Sequence, residues 1–314
     1  MNNIARYRRV SLQDIDLSDD LYTVNPFTDS RQSQTKCSIL HPPLLLETHK
    51  CHYIVIAGRQ HLPATEQQRE KQINALIVSQ EWANEPAVIF SFLLEYKLIH
   101  CPPSVIEQAV YFKKTRALLD PKQITECLLL LGYKANHSIA EDLISLLQLD
   151  IAVQKCLHLG SLTLRAAKKM IQLHQEDQHY LALLIQELQL GGSKQQKLVE
   201  GLFELHQRSG KDCQEFINQW LLTHEEVQDN RPQKTASLLN WLEDCLHPRL
   251  RTAEEEFKKF CKTQKLPKGM YLQHTASFED EQVNLCITFC SQKQLAKQLD
   301  AIKTIVQDTP HKGA

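Results

Sequence analysis

The sequence lacks the features that several classes of protein require. No Cys-x-x-Cys pair occurs among its ten cysteines, and no ligand-spaced His or Cys accompanies Cys286 and Cys290, so no metal site is expected. The first residues, MNNIARYRRVSLQD, contain no long apolar segment, so no signal peptide is expected. No uncharged apolar run reaches about 18 residues, which predicts that the chain does not cross a membrane. These absences together predict a cytoplasmic protein with reduced cysteines.

The balance of charge provides no general attraction to nucleic acid. Lys and Arg together number 36, Asp and Glu together number 37, and the formal net charge is −1. A near-neutral chain has no large basic field, so any contact with DNA would have to come from local patches. The length of 314 residues suits two or three domains with a core large enough to fold without cross-links.

Residues 1–100 have the pattern of a mixed α/β domain. Two short apolar runs, PPLLLE (42–47) and HYIVIAG (52–58), are bounded by Pro and Gly, and THKC between them predicts a hairpin. ATEQQREKQINALIVSQ starts as a helix and ends as a strand candidate, whereas EPAVIFSFLLEYKLI is predicted as a strand or as a strand entering a helix. A strand that breaks at a glycine, here Gly58, into a helix is one way to build a phosphate cradle.

Residues 101–228 are predicted to be helical. Asp120-Pro121 has the form of an N-cap followed by proline at the first helical position, and Gly132 has the form of a C-terminal glycine. These signals predict a helix over 121–131. A capping-box pattern that begins at Ser138 predicts a second helix over 138–147, and another that begins at Ser193 predicts a helix further along.

A polar stretch that contains a proline, EEVQDNRPQKT (225–235), separates a last region from the helical one. After it we expect a long charged helix over 236–264, then two strands in MYLQHTASF and QVNLCITFC, with EDE at the turn between them. SQKQLAKQLDAIKTIVQ closes the region as a helix. The order α-β-β-α predicts a small domain of its own.

Six segments make the chain resemble ParB, the bacterial chromosome and plasmid partition family. Three of them, SILHPPLLL (38–46), GRQHLPA (58–64) and EYKLI (95–99), correspond to the N-terminal motifs of the family. PPSVIEQA (102–109) continues the third motif. ISLLQL (144–149) and VQKCLHLGSLTLRAAKKMIQL (153–173) correspond to helical segments, and Gly160, Leu162 and Ala167 stand where the family has the same residues.

The resemblance implies an α+β, mostly helical fold in three parts. A ParB-like N-terminal α/β domain with the nucleotide-binding fold would occupy 1–100, and a central all-helical helix-turn-helix domain 101–228. A small C-terminal α-β-β-α dimerisation domain would occupy 232–314. The expected partners are duplex DNA and a second copy of the chain, and the expected location is the cytoplasm, at the nucleoid if DNA is bound.

The resemblance also implies a site for CTP, which the family binds through a Gly-Glu-Arg-Arg turn and a later Glu-Asn-x-x-Arg segment. The positions that correspond to it here are Gly58, Arg59, Gln60, His61 and Glu95. The turn keeps one arginine, displaced to the position of the Glu, and Ile99 replaces the later arginine. Charge-assisted hydrogen bonds to phosphate contribute about 1.5–3 kcal/mol each, so their loss weakens nucleotide binding by orders of magnitude. We therefore expect no cofactor, with CTP as the alternative.

The candidate DNA-binding residues lie around the start of the second predicted helix of the central domain and on the helix that follows it. Asn side chains can contact adenine, and Ser or His can contact phosphate or base edges. A following helix supplies cations that could contact phosphates. The candidates are Lys134, Asn136, His137, Ser138, Arg165, Lys168 and Lys169. Glu141 and Asp142 would face the DNA unfavourably or must turn away.

A second basic patch is predicted in the C-terminal domain. Lys258, Lys262 and Lys265 fall on one face of a helix, where they could contact DNA nonspecifically or pair with the glutamates one turn earlier.

Three functions stay open at this point. The first is a dimeric DNA-binding protein in partition or transcription control whose CTP switch is lost or altered. The second is a protein-interaction adaptor on a ParB scaffold, and the third a CTP-hydrolysing clamp with unusual ligands. No other catalytic set is present, so enzyme activity depends on the third.

Overall fold

The computed structural model describes residues 5–27, 42–59, 62, 72–223, 230–264, 266–275 and 282–308, with the backbone alone at 301 and 303–308. The chain forms two compact units, Met1–Ala236 and Ser237–Ala314. The fold is α+β and mainly helical, as predicted. No helix in the described part combines the length and apolar character needed to cross a membrane.

The first unit opens with a five-stranded mixed sheet. Its strands are β1 (Ala5–Ser11), β2 (Ile15–Asp16), β3 (Leu44–His49), β4 (His52–Ala57) and β5 (Gln72–Val78), in the order β1-β5-β3-β4-β2. β3 and β4 form the predicted antiparallel hairpin, and β3 pairs with β5 in parallel. All three leucines that open β3 are buried, which is why this strand has a continuous apolar run.

The described part of the chain contains nine helices between the sheet and residue 223, all in the first unit. Their bounds are α1 (Pro86–His100), α2 (Val105–Thr115), α3 (Pro121–Leu130), α4 (Ser138–Ser145), α5 (Ile151–His158), α6 (Leu164–Met170), α7 (Gln175–Leu188), α8 (Gly192–Ser209) and α9 (Cys213–Thr223). The predicted ends of α3 are confirmed. The Asp120 side chain accepts the backbone N–H of Gln123 at 2.8 Å, and Gly132 has a left-handed φ of 83°.

Three local expectations in this unit are wrong. The strand expected at the start of EPAVIFSFLLEYKLI is part of α1, a 15-residue helix whose side chains are buried on several sides, so the apolar residues show no helical period. Ser138 is the first residue of α4 rather than its N-cap, because the Asn136 side-chain oxygen accepts the Ser138 N–H at 3.1 Å instead. Similarly, α8 begins at Gly192 with Gly191 as N-cap, so Ser193 is not a cap.

The expected long helix over 236–264 is two helices. α10 (Arg231–Leu246) ends one residue before α11 (Pro248–Thr263) begins. Pro248 supplies no N–H and disfavours helical geometry at His247, which has φ −124° and ψ 58°.

The last region has the predicted α-β-β-α order, except that its first helix is divided into α10 and α11. β6 (Met270–His274) and β7 (Val283–Ile287) form a two-stranded antiparallel sheet in which Met270 pairs with Ile287. The chain continues into α12 (Gln292–Asp308). The predicted EDE turn lies outside the described residues, as does the helix predicted at the start of ATEQQREKQ.

Candidate functional site

A cavity of about 240 Å³ lies where β4 ends, which is the position of the predicted nucleotide site. Gly58 turns the chain there with a φ of 81°, a conformation that side chains with a Cβ rarely adopt. The walls come from the segment after β2, the end of β4 and the end of α1. They consist of Tyr22, Thr23, Val24, Asn25, Val55, Ile56, Ala57, Gly58, Arg59, Tyr96, Lys97, His100 and Cys101.

The guanidinium group of Arg59 donates hydrogen bonds to backbone carbonyl oxygens of the protein itself. Its Nη1 donates to the Leu17 carbonyl oxygen at 2.9 Å, and its Nη2 donates to the Asp19 carbonyl oxygen. Its Nε is buried and has no hydrogen-bond partner among the described residues. Arg59 therefore holds the loop after β2 against the end of β4, and this task occupies most of its hydrogen-bonding capacity.

The other predicted nucleotide-site residues are not assembled at this cavity in the described part of the chain. Glu95 is exposed and does not line it, and Ile99 is 77% exposed. Gln60 and His61 lie outside the described residues. Of the three predicted positions that the structure describes, Gly58 and Arg59 lie together in the cavity wall and Glu95 does not.

Lys97 is a cavity residue that sequence reasoning missed. Its Nζ lies 2.6 Å from Oε1 of Glu107, a side chain that is almost fully buried. The other Glu107 oxygen accepts the Ser104 N–H at 2.8 Å in the capping box of α2. The charge of Lys97 is therefore balanced within the protein. Its spacing of three residues from His100 on α1 was the available signal, since residues one turn apart share a face.

Two buried tyrosines make much of the remaining wall neutral. Burial is the larger cause, and the nearby charge of Asp19 the smaller one, that together raise the pKa of Tyr22 to about 12. Burial likewise raises the pKa of Tyr96, whose hydroxyl donates to the Pro42 carbonyl oxygen at 2.8 Å. Both phenols stay protonated at neutral pH. The cavity thus has the shape of a ligand site, while two of its cations already have acceptors from the protein.

The second candidate surface is formed by α3, α4 and the turn between them. The Gly132 N–H donates to the Leu129 carbonyl oxygen at 3.0 Å, and the Tyr133 N–H donates to the Leu128 carbonyl oxygen at 2.9 Å, which closes α3. α4 packs on α2 and α3 through its buried residues Ala140 and Leu143. The opposite face of α4, with Ser138, Glu141 and Asp142, is exposed.

The turn residues predicted to contact DNA also build the turn. Asn136 accepts the Ser138 N–H, and His137 Nε2 lies 3.1 Å from Thr125 Oγ1 on α3. Lys134 is exposed on the same turn. The structure therefore brings Lys134, Asn136, His137 and Ser138 together at the N-terminus of α4.

The cations predicted on α6 each contact another side chain. Lys168 Nζ lies 2.7 Å from Asp142 Oδ2, which places α6 beside α4. Arg165 donates to Gln196 at 3.3 Å, and Lys169 Nζ lies 3.6 Å from the centre of the Phe203 ring.

Arg116, at the end of α2, was missed by sequence reasoning. It pairs with Glu141 at 3.3 Å, so both acidic residues on the exposed face of α4 are balanced by a cation from a neighbouring helix. No local signal marked this pair, because the two residues belong to different helices.

The predicted lysine patch of the last region is exposed on α11. Lys258 lies 3.5 Å from Glu254, the pairing expected one turn apart, and Lys262 is also exposed. Lys265 lies outside the described residues.

Comparison with known proteins adds the following. No family model matches the chain, and neither does any curated protein sequence. The solved structures that are similar include two of the C-terminally truncated chromosome-partitioning protein ParB from Caulobacter crescentus. The one complexed to the centromeric parS site is 18% identical, with a TM-score of 0.30, over 62% of this chain and 98% of that chain. The one complexed with CTP-gamma-S is 16% identical, with a TM-score of 0.21, over 57% and 98%. Values this low carry no argument about binding or activity.

Proposed function

We propose that the chain is a ParB-like DNA-binding protein that contacts duplex DNA through α3 and α4 as a helix-turn-helix. The observation that carries this proposal is the exposed N-terminal half of α4. It follows a tight turn, and the opposite, buried face of α4 packs on α2. In helix-turn-helix proteins, the N-terminal residues of the second helix contact base edges while the first helix crosses the backbone. The proposed roles are DNA partition or transcription control, with the protein located at the nucleoid.

The ion pairs around α4 are compatible with a role in DNA binding. Exposed pairs of this kind contribute only about 0–1 kcal/mol, so Arg116 and Lys168 can exchange a carboxylate for a phosphate at small cost. The carboxylates of Glu141 and Asp142 would then repel the DNA backbone unless one of them accepts a cytosine amino group. This opposition distinguishes the surface from a uniformly basic one and predicts moderate affinity with a strong dependence on salt.

The proposed DNA binding does not use CTP as its switch. Arg59 donates to two backbone carbonyls and Lys97 is paired with a buried carboxylate, so a triphosphate would have to displace these contacts before it was neutralised. We therefore propose that the cavity beside Gly58 has lost or altered the nucleotide function that the sequence resemblance implies.

The proposal includes a homodimer formed through the second unit. The sheet of β6 and β7 has one face whose residues are all apolar except His274. Val283 and Leu285 on that face are 44% and 39% exposed. A second copy that covered this face would remove the apolar surface from water, which is the main favourable term in association.

The first experiment selects DNA and then measures its affinity. Full-length protein is incubated with fragmented genomic DNA, and recovered fragments are sequenced. Anisotropy titrations then compare an enriched duplex with a scrambled one between 50 and 200 mM salt. We expect an enriched motif and an affinity that falls steeply with salt. Addition of millimolar CTP is expected to leave the affinity unchanged, and a change would restore the clamp hypothesis.

Variants connect that binding to α4. Lys134→Ala should weaken binding to all sequences and reduce the salt slope by about 1, while Lys197→Ala, an exposed lysine on α8, should change neither. The double variant Glu141→Gln and Asp142→Asn should tighten binding by removing like charge. An absence of enriched fragments, with weak binding equally affected by both lysine variants, would sink the proposal and favour the adaptor function.

A further inference from the structure

Three potential metal ligands converge where α7, α8 and α9 meet. Asp177 lies in the first turn of α7, His206 in the last turn of α8, and Asp212 immediately before α9. One carboxylate oxygen of each aspartate and one imidazole nitrogen of His206 lie within 4.8 Å of one another. All three residues lie within the first unit; His206 and Asp212 are six residues apart, and Asp177 comes from a more distant segment.

Asp177 contributes a buried carboxylate that lies beside the Cys213 thiol, a weak donor. The residue is only 2% exposed. Its Oδ1 accepts the Gln214 N–H at 3.2 Å, so it caps the start of α9, but its Oδ2 is buried with no donor stronger than that thiol among the described residues. The N-terminus of α7 favours a negative charge here but does not provide a bond to Oδ2. A buried carboxylate oxygen without a strong partner is costly, and a bound cation would supply the missing interaction.

His206 makes the kind of outer hydrogen bond that metal-binding histidines make. Its Nδ1 lies 2.8 Å from the Lys211 carbonyl oxygen, to which it can only donate. This contact leaves the lone pair on Nε2 for a ligand. Gly210, with a φ of 70°, turns the chain back so that the Lys211 carbonyl reaches the ring. A backbone carbonyl that sets the tautomer in this way is the usual outer partner of a metal-bound imidazole.

We propose that Asp177, His206 and Asp212 bind a divalent transition-metal ion of the Zn²⁺ class, with water completing its coordination. Imidazole with carboxylate suits Zn²⁺, Co²⁺ and Ni²⁺, whereas Mg²⁺ and Ca²⁺ take oxygen ligands alone. Bonds of about 2.0–2.2 Å require the donor atoms to move somewhat closer together, which the exposed Asp212 side chain can do. The ion would join α7 to the turn between α8 and α9 and so stabilise the helical part of the first unit.

The test uses the full chain without a histidine tag, freed of metal by dialysis. Zn²⁺ affinity is measured by competition with a chromophoric chelator, and Co²⁺ is added separately to record visible absorption from the bound ion. We expect each chain to bind one ion, and substitution of a proposed ligand to abolish this binding. The bound Co²⁺ should give visible absorption bands. Zn²⁺ should raise the melting temperature, whereas Mg²⁺ should not.

His206→Gln and Asp212→Asn should each weaken Zn²⁺ binding by at least 10- to 100-fold and remove the Co²⁺ bands. His179→Gln, an exposed histidine on α7 that faces Asp150 instead, is the matched control and should change neither. Asp212 is exposed, so its variant keeps the fold even if changes at Asp177 do not. Unchanged affinity in both ligand variants, an equal loss in the control, or an equal response to Mg²⁺ would overturn the proposal.

Discussion

The two units of the chain differ in how they bury apolar side chains. In the first unit nearly every helix and strand contributes side chains to a core, with Trp220, Phe90 and Leu143 at 1% exposure or less. In the second unit α11 has no buried residue. Among its described side chains, Leu238, Leu242, Leu246 and Met270 are buried, but six large apolar groups are 39% to 54% exposed, namely Phe260, Tyr271, Val283, Leu285, Phe289 and Leu299.

This difference indicates which unit can fold alone. A two-stranded sheet is marginally stable in water unless something covers one of its faces. The second unit has such a sheet, with strands of five residues and an apolar face that is partly open. The first unit closes its own core, whereas the second is expected to gain stability from association with another copy. Three changes test this contrast.

The largest effect is expected from Leu285→Asp in β7. A charge placed in a covered apolar interface costs about 3–5 kcal/mol, which raises the dimer dissociation constant roughly 10²- to 10⁴-fold. Sedimentation velocity over a range of concentrations measures it. The control is Asn284→Asp, because neighbouring residues in a strand point to opposite faces and only Leu285 shares the apolar one. A wild-type chain that is monomeric at every concentration would remove the basis of the comparison.

A smaller effect separates the two kinds of burial. Leu143→Ala, on the buried face of α4, should lower the free energy of unfolding by about 2–5 kcal/mol at any protein concentration. Leu285→Ala should have an effect that depends on concentration and shrinks to about 0.5 kcal/mol or less when the protein is dilute. Denaturant unfolding followed by tryptophan fluorescence at two concentrations gives both values. Equal, concentration-independent losses would show that the two units are stabilised alike.

The smallest effect concerns how the helices of each unit begin. α3 has a capping box at Asp120, whereas α11 starts with Pro248 and no side-chain cap. Asp120→Ala should therefore destabilise the first unit by about 1 kcal/mol, as measured by thermal and denaturant unfolding. Glu126→Ala, at an exposed position of the same helix, is the control and is expected to change stability by less than about 0.5 kcal/mol. A loss no larger than that of the control would mean that packing alone sets the start of α3.

Much of the fold could be predicted because its signals are local. The β3–β4 hairpin, both ends of α3 and the α-β-β-α order of the last region follow from apolar runs and from glycine, proline and cap residues. α1 was ambiguous because a helix buried on several sides loses its apolar period. Pro248 was a visible signal for the break between α10 and α11, and the expectation of one long helix passed over it.

The candidate sites could be predicted only in part. The position of Gly58 at a cavity and the exposure of the turn before α4 followed from the order of elements. The pairing of Lys97 with Glu107 and of Lys168 with Asp142 did not follow. Each depends on how two helices pack, and a single sequence contains no direct signal for such a contact.

The sequence by itself determined where most elements begin and end, since caps, glycines and prolines act on the backbone within a few residues. The tertiary structure decided which charges meet. Arg59 faces the carbonyls of Leu17 and Asp19, and Asp177 reaches the turn before α9, across separations of about forty residues. Such contacts depend on the packing of whole helices and strands, because electrostatic and hydrogen-bonding partners are selected by distance in space rather than by distance along the chain.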